Sequence, residues 1–151
     1  MQGKISSGST QPEHTSVPIG RGELILIVDD ELPICLVLST IFKVGGYNVL
    51  VEHNGSDALA TFEKHPEIRL VITDLTMPVM DGVVLIRELL KLAPEIRIIA
   101  ATGRPDKIVE NEIVEMGVRA LLVKPFTRAT LFQAVSSALA DGPWSYQRLT
   151  G

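Results

Sequence analysis

Five polar residues that could perform phosphoryl chemistry each follow a short apolar run of this sequence. Asp29 and Asp30 follow the first run, Asp74 follows a second, Thr102 a third and Lys124 a fourth. Carboxylate oxygens are ligands that Mg²⁺ prefers, and a carboxylate can also act as a nucleophile in a covalent step. A lysine ammonium binds phosphate as a point charge, and a hydroxyl can hydrogen-bond to phosphate oxygens. These residues could therefore bind a divalent cation and place a phosphoryl group on an aspartate.

The elements that must position these residues are short strands and amphipathic helices, which alternate from residue 23 onward. This alternation is typical of βαβ units. The predicted strands span 24–28, 47–51, 69–73, 97–101 and 120–123. The predicted helices span 32–44, 56–65, 82–92, 105–116 and 127–140. Because parallel strands with helical crossovers bring their carboxyl ends to one edge, we expect the polar residues to meet in one crevice. The predicted fold is α/β and doubly wound, around a five-stranded parallel sheet.

Composition limits the class of protein. The chain has 151 residues, 46% hydrophobic and 21% charged, which is the balance of one globular domain. A net charge of −4 without a basic stripe argues against nucleic acid as the main partner. The single cysteine, Cys35, excludes an internal disulfide framework and fits a reducing compartment. Because no apolar run approaches the roughly 20 residues of a membrane helix, we expect a soluble, cytoplasmic domain without direct membrane contact.

The domain boundaries follow from changes in composition. The polar residues 1–22 are predicted to be a flexible linker or arm, because they bury too little apolar surface to offset the entropy of ordering them. Residues 23–140 are the predicted domain, and 141–151 are expected to be a short C-terminal tail. Within the domain, Ser56 and Thr127 are the expected caps of the second and last helices.

Four segments of the sequence resemble the receiver domain of two-component response regulators. They are Val28-Asp29-Asp30-Glu31, Thr73-Asp74-Leu75-Thr76-Met77-Pro78-Val79-Met80-Asp81-Gly82, Ala101-Thr102-Gly103 and Val123-Lys124-Pro125-Phe126. The resemblance covers about residues 23–140 and implies a flavodoxin-like (βα)5 fold. Any one aspartate could be only a helix cap, but the four segments in order, each ending a strand, favour the receiver reading.

The resemblance assigns roles to the acidic residues. Asp74 is implied to be the phosphoacceptor, which attacks a phosphohistidine or a small acyl phosphate. Asp30 and Asp74 are implied to ligate Mg²⁺ through carboxylates, together with the backbone carbonyl of Thr76, while Asp29 holds the ion through water. Mg²⁺ is commonly bound through one or two carboxylates and phosphate oxygens, in agreement with this set.

The remaining site residues also take their roles from the resemblance. Lys124 is implied to ion-pair with the phosphoryl group, and a cis Lys124-Pro125 bond is implied to aim its amine into the crevice. Thr102 is implied to hydrogen-bond a phosphoryl oxygen after transfer. Leu121 departs from the family, because receivers with an aromatic switch carry Tyr, Phe or His there; we hypothesise a muted or altered output. Arg104 either shields the phosphoryl group from water or is an ordinary surface side chain.

The first helix carries a second departure from the family. Ile34, Val37 and Ile41 form its predicted core stripe, which leaves Cys35 and Leu36 exposed where receivers usually show polar residues. Exposed apolar surface beside a crevice often marks a docking face. We interpret it as a candidate contact for a phosphodonor helix bundle, with an ordinary crowded core helix as the alternative.

The implied partners are a histidine kinase or histidine phosphotransfer protein as phosphodonor, and a downstream protein. The lead-in Ile19-Gly20-Arg21-Gly22-Glu23-Leu24-Ile25-Leu26 resembles the linker before the C-terminal receiver of hybrid histidine kinases, which favours that origin over a stand-alone receiver. No enzymatic activity is expected beyond self-catalysed phosphorylation and dephosphorylation. An aspartyl-phosphate hydrolase is a rival, but its Asp-x-Asp motif is absent, and a degenerate receiver is disfavoured because every chemical residue is present.

Overall fold

The computed structural model describes residues 20–151, in which six strands and five helices alternate along the chain. The strands are β1 Leu24–Val28, β2 Asn48–Glu52, β3 Ile68–Asp74, β4 Arg97–Thr102, β5 Ala120–Val123 and β6 Gln147–Thr150. The helices are α1 Leu32–Val44, α2 Gly55–Lys64, α3 Gly82–Leu92, α4 Lys107–Met116 and α5 Arg128–Leu139. The predicted flexible arm falls mostly outside the described residues. No described helix is long and apolar enough to cross a membrane.

All neighbouring strands pair in parallel, in the order β2-β1-β3-β4-β5-β6. The predicted count of five strands is wrong, because β6 pairs with β5 from Ala120 opposite Gln147 to Val123 opposite Thr150. The run Gln-Arg-Leu-Thr has no apolar pattern of its own, so the backbone bonds that β5 offers decide its conformation. The strand lies within the segment that the sequence predicted to be a tail.

The sheet separates two apolar cores. In β1, Ile25 and Ile27 pack into the core that lies under α1 and α5, while Leu26 and Val28 pack into the core under α2, α3 and α4. Because both faces are covered, the central strands are apolar nearly throughout. The first core contains three aromatic rings, of which Phe42 and Phe132 meet edge to face at 6.0 Å between centroids.

Helix α1 packs in a different rotation from the one predicted. Its buried residues are Cys35, Leu38, Ser39 and Phe42, whereas Val37 of the predicted core stripe is 56% exposed. The helix is apolar around most of its circumference, so periodicity alone cannot fix the rotation, and burial of the Phe42 ring decides it.

Of the two N-cap residues predicted from the sequence, the structure confirms one. Thr127 caps α5 by accepting a hydrogen bond from the backbone N–H of Thr130. For α2 the prediction of Ser56 is wrong, because the cap is Asn54, whose side chain accepts from the N–H of Asp57 at 2.8 Å. Asparagine is an equally good N-cap, and here it also bonds to the Asp57 carboxylate.

Candidate functional site

The strand order places four of the candidate residues at one edge of the sheet. Asp29 directly follows β1, Asp74 is the last residue of β3, Thr102 is the last residue of β4, and Lys124 directly follows β5. These strands are neighbours in the sheet and run in parallel, so their carboxyl ends open into one crevice. The structure thus brings together residues that are as many as 95 positions apart in the sequence.

Lys124 lies between two buried carboxylates. Its Nζ is 3.1 Å from Oδ2 of Asp29 and 3.4 Å from Oδ2 of Asp74. The side chains of the two aspartates are only 5% and 7% exposed. Two buried like charges repel each other and lose hydration, and an ammonium between them offsets part of both costs.

The electrostatics of the site follow from this burial. Burial raises the pKa of Asp74, and the charge of Asp29 adds to the rise, while the Thr76 N–H and Lys124 oppose it. For Lys124, burial disfavours the ammonium, but the carboxylates of Asp74 and Asp29 outweigh burial and raise its pKa. Lys124 is therefore a cation at neutral pH, ready to attract an anionic phosphoryl group.

The carboxylates at this edge fit a divalent cation. Oxygens of Asp29, Glu31 and Asp74 lie within 4.8 Å of one another. A set made only of oxygen ligands suits a hard cation such as Mg²⁺. Asp30 is exposed and falls outside this cluster, but it lines the same crevice of about 340 Å³. The sequence analysis named Glu31 only as part of the first receiver-like segment and gave it no role, although its position directly after the aspartate pair was an available signal.

Thr102 ends β4, and Arg104 lies in the loop that follows it. The Thr102 side chain is buried, and its Oγ1 accepts a hydrogen bond from the backbone N–H of Arg104 at 3.0 Å. A hydroxyl that accepts one bond retains its O–H as a donor, so Thr102 can still donate to a phosphoryl oxygen. The exposed Arg104 lines the crevice together with Thr76.

Leu121 lies in β5, and the Lys124-Pro125 bond directly follows that strand. Leu121 is buried in β5 and borders a cavity of about 160 Å³ that Thr102 also lines. The Lys124-Pro125 peptide bond is cis, as expected. The position that carries an aromatic residue in switching receivers is therefore filled here by an aliphatic side chain beside an open space.

Comparison with known proteins identifies the family of the chain. Residues 25–136 match the family described as the response regulator receiver domain. Chemotaxis protein CheY of Thermotoga maritima is 32% identical over 118 residues, which cover 76% of this chain and 96% of CheY. Transcriptional regulatory protein ZraR of Salmonella typhimurium is 33% identical over 121 residues, which are 80% of this chain but only 27% of that longer protein.

Solved structures agree with this relationship. The receiver domain protein of Clostridium thermocellum has a TM-score of 0.74 at 30% identity, covering 77% of this chain and 93% of its own. A chain of the CheX-CheY-BeF3-Mg+2 complex from Borrelia burgdorferi has a TM-score of 0.74 at 27% identity, covering 85% of this chain and 95% of its own. The chain therefore belongs to the response regulator receiver domain family, with the flavodoxin-like fold and the role in two-component signalling that define it. The family binds Mg²⁺ in an acidic pocket, which the carboxylates here fit.

Proposed function

We propose that this receiver is a phospho-accepting switch in a two-component phosphorelay, with Asp74 as the phosphoacceptor. The observation that carries the proposal is the arrangement of Lys124 between Asp29 and Asp74. It holds the buried carboxylate of Asp74 beside an ammonium in the crevice. Such a pair places a nucleophile and a phosphate-binding cation side by side, and CheY crystallised with beryllofluoride and Mg²⁺ supports the same chemistry for this chain.

In the proposed transfer, an oxygen of Asp74 attacks the phosphorus of a phosphohistidine. The O–P bond forms as the P–N bond breaks, and the electron pair of that bond returns to the imidazole nitrogen of the donor. Bound Mg²⁺ would neutralise charge on the transferred oxygens. Asp30, Asp74 and the carbonyl of Thr76 are the proposed ligands, with Asp29 acting through water.

Lys124 and Thr102 act after the transfer in this proposal. The ammonium of Lys124 exchanges its contact with the Asp74 carboxylate for one with a phosphoryl oxygen, which is the more highly charged anion. The Thr102 hydroxyl then donates a hydrogen bond to the phosphoryl group and draws its loop toward Asp74. The movement of this loop is the proposed output of the switch.

The proposed phosphodonor is a histidine kinase or a histidine phosphotransfer protein that docks on α1. An apolar groove of about 480 Å³ next to Lys124 lies between α1 and the loop that follows β5. Val37 lines this groove and is 56% exposed, and the neighbouring Leu36 is 70% exposed. A phosphohistidine on a helix bundle seated in this groove would face the crevice, which gives the exposed apolar side chains a purpose.

This docking proposal predicts that Val37→Ala slows transfer from a phosphorylated histidine phosphotransfer protein by roughly ten-fold, because it removes two methylene equivalents of about 0.8 kcal/mol each. Phosphorylation by acetyl phosphate, which needs no docking surface, should keep its rate. Val44→Ala is the matched control, because Val44 lies at the other end of α1 and is also exposed, at 78%. Equal effects of the two substitutions would contradict the proposed surface.

Arg104 is proposed to shield the phosphorylated Asp74 from water, because its side chain lines the crevice above Thr76. Arg104→Ala should then speed loss of the phosphoryl group by several-fold, since the cation no longer contacts the phosphoryl oxygens. The decay of the phosphorylated mass over time measures this rate. An unchanged rate would assign Arg104 to the ordinary surface.

We also propose that the chain works as the C-terminal receiver of a hybrid histidine kinase, on the strength of its lead-in sequence. A stand-alone receiver is the second candidate. Phosphotransfer from a kinase domain joined to this chain, faster than from the same domain supplied separately, would support the hybrid arrangement.

The experiment that tests the proposed function is intact mass after incubation with acetyl phosphate and Mg²⁺. The chain should gain one phosphoryl group, which should be absent in Asp74→Asn and when Mg²⁺ is chelated. Asp81→Asn is the matched control, because Asp81 only caps α3 and asparagine also caps well. Turnover of generic phosphate esters would instead favour the aspartyl-phosphate hydrolase.

A further inference from the structure

The segment after α5 is tied to α4 by a buried carboxylate. Tyr146 donates from its hydroxyl to Oε2 of Glu110 at 2.6 Å, and Nε of Arg148 lies 3.4 Å from Oε1 of the same residue. Glu110 is only 6% exposed although it lies on a surface helix. Both carboxylate oxygens thus face residues of the last strand and its lead-in, and the short Tyr146–Glu110 hydrogen bond to a carboxylate is the stronger of the two contacts.

Glu110 is also connected to the phosphoryl site. Thr102 and Glu110 line the same 160 Å³ cavity. Along the chain, Thr102 accepts from the N–H of Arg104, and the N–H of Glu110 donates to the carbonyl of Asp106, which caps α4. Glu110 is eight positions after Thr102, so a displacement of Thr102 can reach the first turns of α4 through this short segment. The cavity gives those turns room to move.

The last strand depends on this connection for its position. Of the four residues in β6, only Leu149 packs against a core, and the lead-in adds the ring of Tyr146. The Tyr146 ring packs against the same cluster as Leu121, the residue that lacks an aromatic ring beside Thr102. A strand with little apolar surface is held by its hydrogen bonds, so the Glu110 contacts add to the backbone pairing with β5 in docking it.

We propose that residues 144–150, which we term the strap, are released from β5 when Asp74 is phosphorylated. The inference rests on the proposed function. Drawing Thr102 toward the phosphoryl group shifts the first turns of α4 and carries Glu110 away from Tyr146. The Tyr146–Glu110 bond is at its optimum length before phosphorylation, so displacement weakens it, and β5 becomes an open edge.

The coupling must act in both directions. If phosphorylation disfavours the docked strap, the docked strap disfavours phosphorylation by the same factor. Removing the hydroxyl of Tyr146 should therefore loosen the strap and make Asp74 easier to phosphorylate. The strap is then an internal restraint on the switch, and Tyr146 performs from a separate strand part of what an aromatic residue at position 121 performs in other receivers.

The strap carries its own reporter, because Trp144 is the only tryptophan of the chain and lies over the guanidinium of Arg119 at 4.2 Å. Addition of beryllofluoride and Mg²⁺, a stable mimic of the phosphoryl group, should increase quenching of Trp144 by acrylamide. Hydrogen exchange at residues 147–150 should become faster by about five-fold or more. Neither change should occur in Asp74→Asn.

The decisive variant is Tyr146→Phe, which removes one hydroxyl and keeps the ring. It should show several-fold faster exchange at residues 147–150 without any mimic, and it should bind beryllofluoride several-fold more tightly. Tyr47→Phe is the matched control, because Tyr47 is buried in the opposite core. If Asp74 is phosphorylated but hydrogen exchange at residues 147–150 does not change, the proposed release of the strap is wrong and the proposed function stands. Failure to gain a phosphoryl group at Asp74 in intact mass overturns the proposed function and the strap together.

Discussion

Lys124 is the residue that allows two carboxylates to share a buried position. The cation offsets part of the cost of burying this pair, because an unpaired buried charge costs several kcal/mol. The ammonium lies within 3.4 Å of both Asp29 and Asp74, so a single residue stabilises the charges on which the proposed chemistry depends. Even so, burial is the largest influence on the pKa of Asp74 and leaves it above its usual range.

This raised pKa predicts a cost of folding at neutral pH. The folded chain keeps the proton of Asp74 to a higher pH than the unfolded chain does. The free energy of unfolding therefore falls as pH rises from the unfolded pKa through the folded pKa. In metal-free buffer at pH 7, Asp74→Asn should be more stable than the parent chain, because asparagine removes the buried charge.

Urea unfolding with a chelator present measures the difference. The advantage of Asp74→Asn should shrink when the pH is lowered below the ordinary aspartate pKa, where both proteins are neutral at this position. Asp81→Asn, at the exposed start of α3, should show no such pH-dependent gain. A less stable Asp74→Asn at pH 7 would contradict the expectation.

At the scale of elements, the connection from β3 to α3 brings backbone segments into close approach beside Asp74. The N–H of Gly82 donates to the carbonyl of Leu75 at 2.9 Å, which folds the start of α3 back onto the end of β3. Within the same connection Val79 has a φ of 71°, a strained value for a β-branched residue. Such strain persists only where surrounding contacts fix the backbone, and it is common at functional loops.

Gly82→Ala should destabilise the fold and disturb Asp74. A Cβ at position 82 would lie 2.2 Å from the carbonyl oxygen of Asp74 and 2.7 Å from Cα of Leu75, and neither backbone atom can move aside cheaply. The expected loss is about 1–3 kcal/mol in the free energy of unfolding, with slower phosphorylation. Gly103→Ala is the control for stability, because a Cβ there meets no atom within 4 Å.

At the scale of the whole molecule, stability comes from the two cores rather than from the site. Phe132→Ala should lower the free energy of unfolding by about 3–5 kcal/mol, because Phe132 is 4% exposed and its ring meets those of Phe42 and Tyr47. Leu36→Ala, at a 70% exposed position, should change it by less than about 0.5 kcal/mol. Chemical denaturation of both variants gives the comparison, and a large loss at Leu36 would contradict this division.

The sequence alone predicted the parts of the molecule that local patterns determine. Apolar runs ending in Asp74 and Lys124 predicted the strands, and parallel topology then predicted that these residues meet. The rotation of α1 could not be predicted, because Val37 and Cys35 are both apolar and only the packed core chooses between them. Glu31 lies in the carboxylate cluster because α1 begins directly after it and fixes its position. Strand β6 forms because β5 offers an unpaired edge. Both are tertiary effects; β6 had no local sequence signal, and the only signal for Glu31 was its place beside the aspartate pair.

The position of β6 also has a consequence for refolding from denaturant. Ala120 pairs with Gln147, so the loop that contains α5 must close before β5 gains its outer partner. Until then, β5 is an open edge with which other chains could pair. Replacing Arg148 and Leu149 by proline, which cannot donate to a strand ladder, should therefore increase light scattering during refolding at high protein concentration.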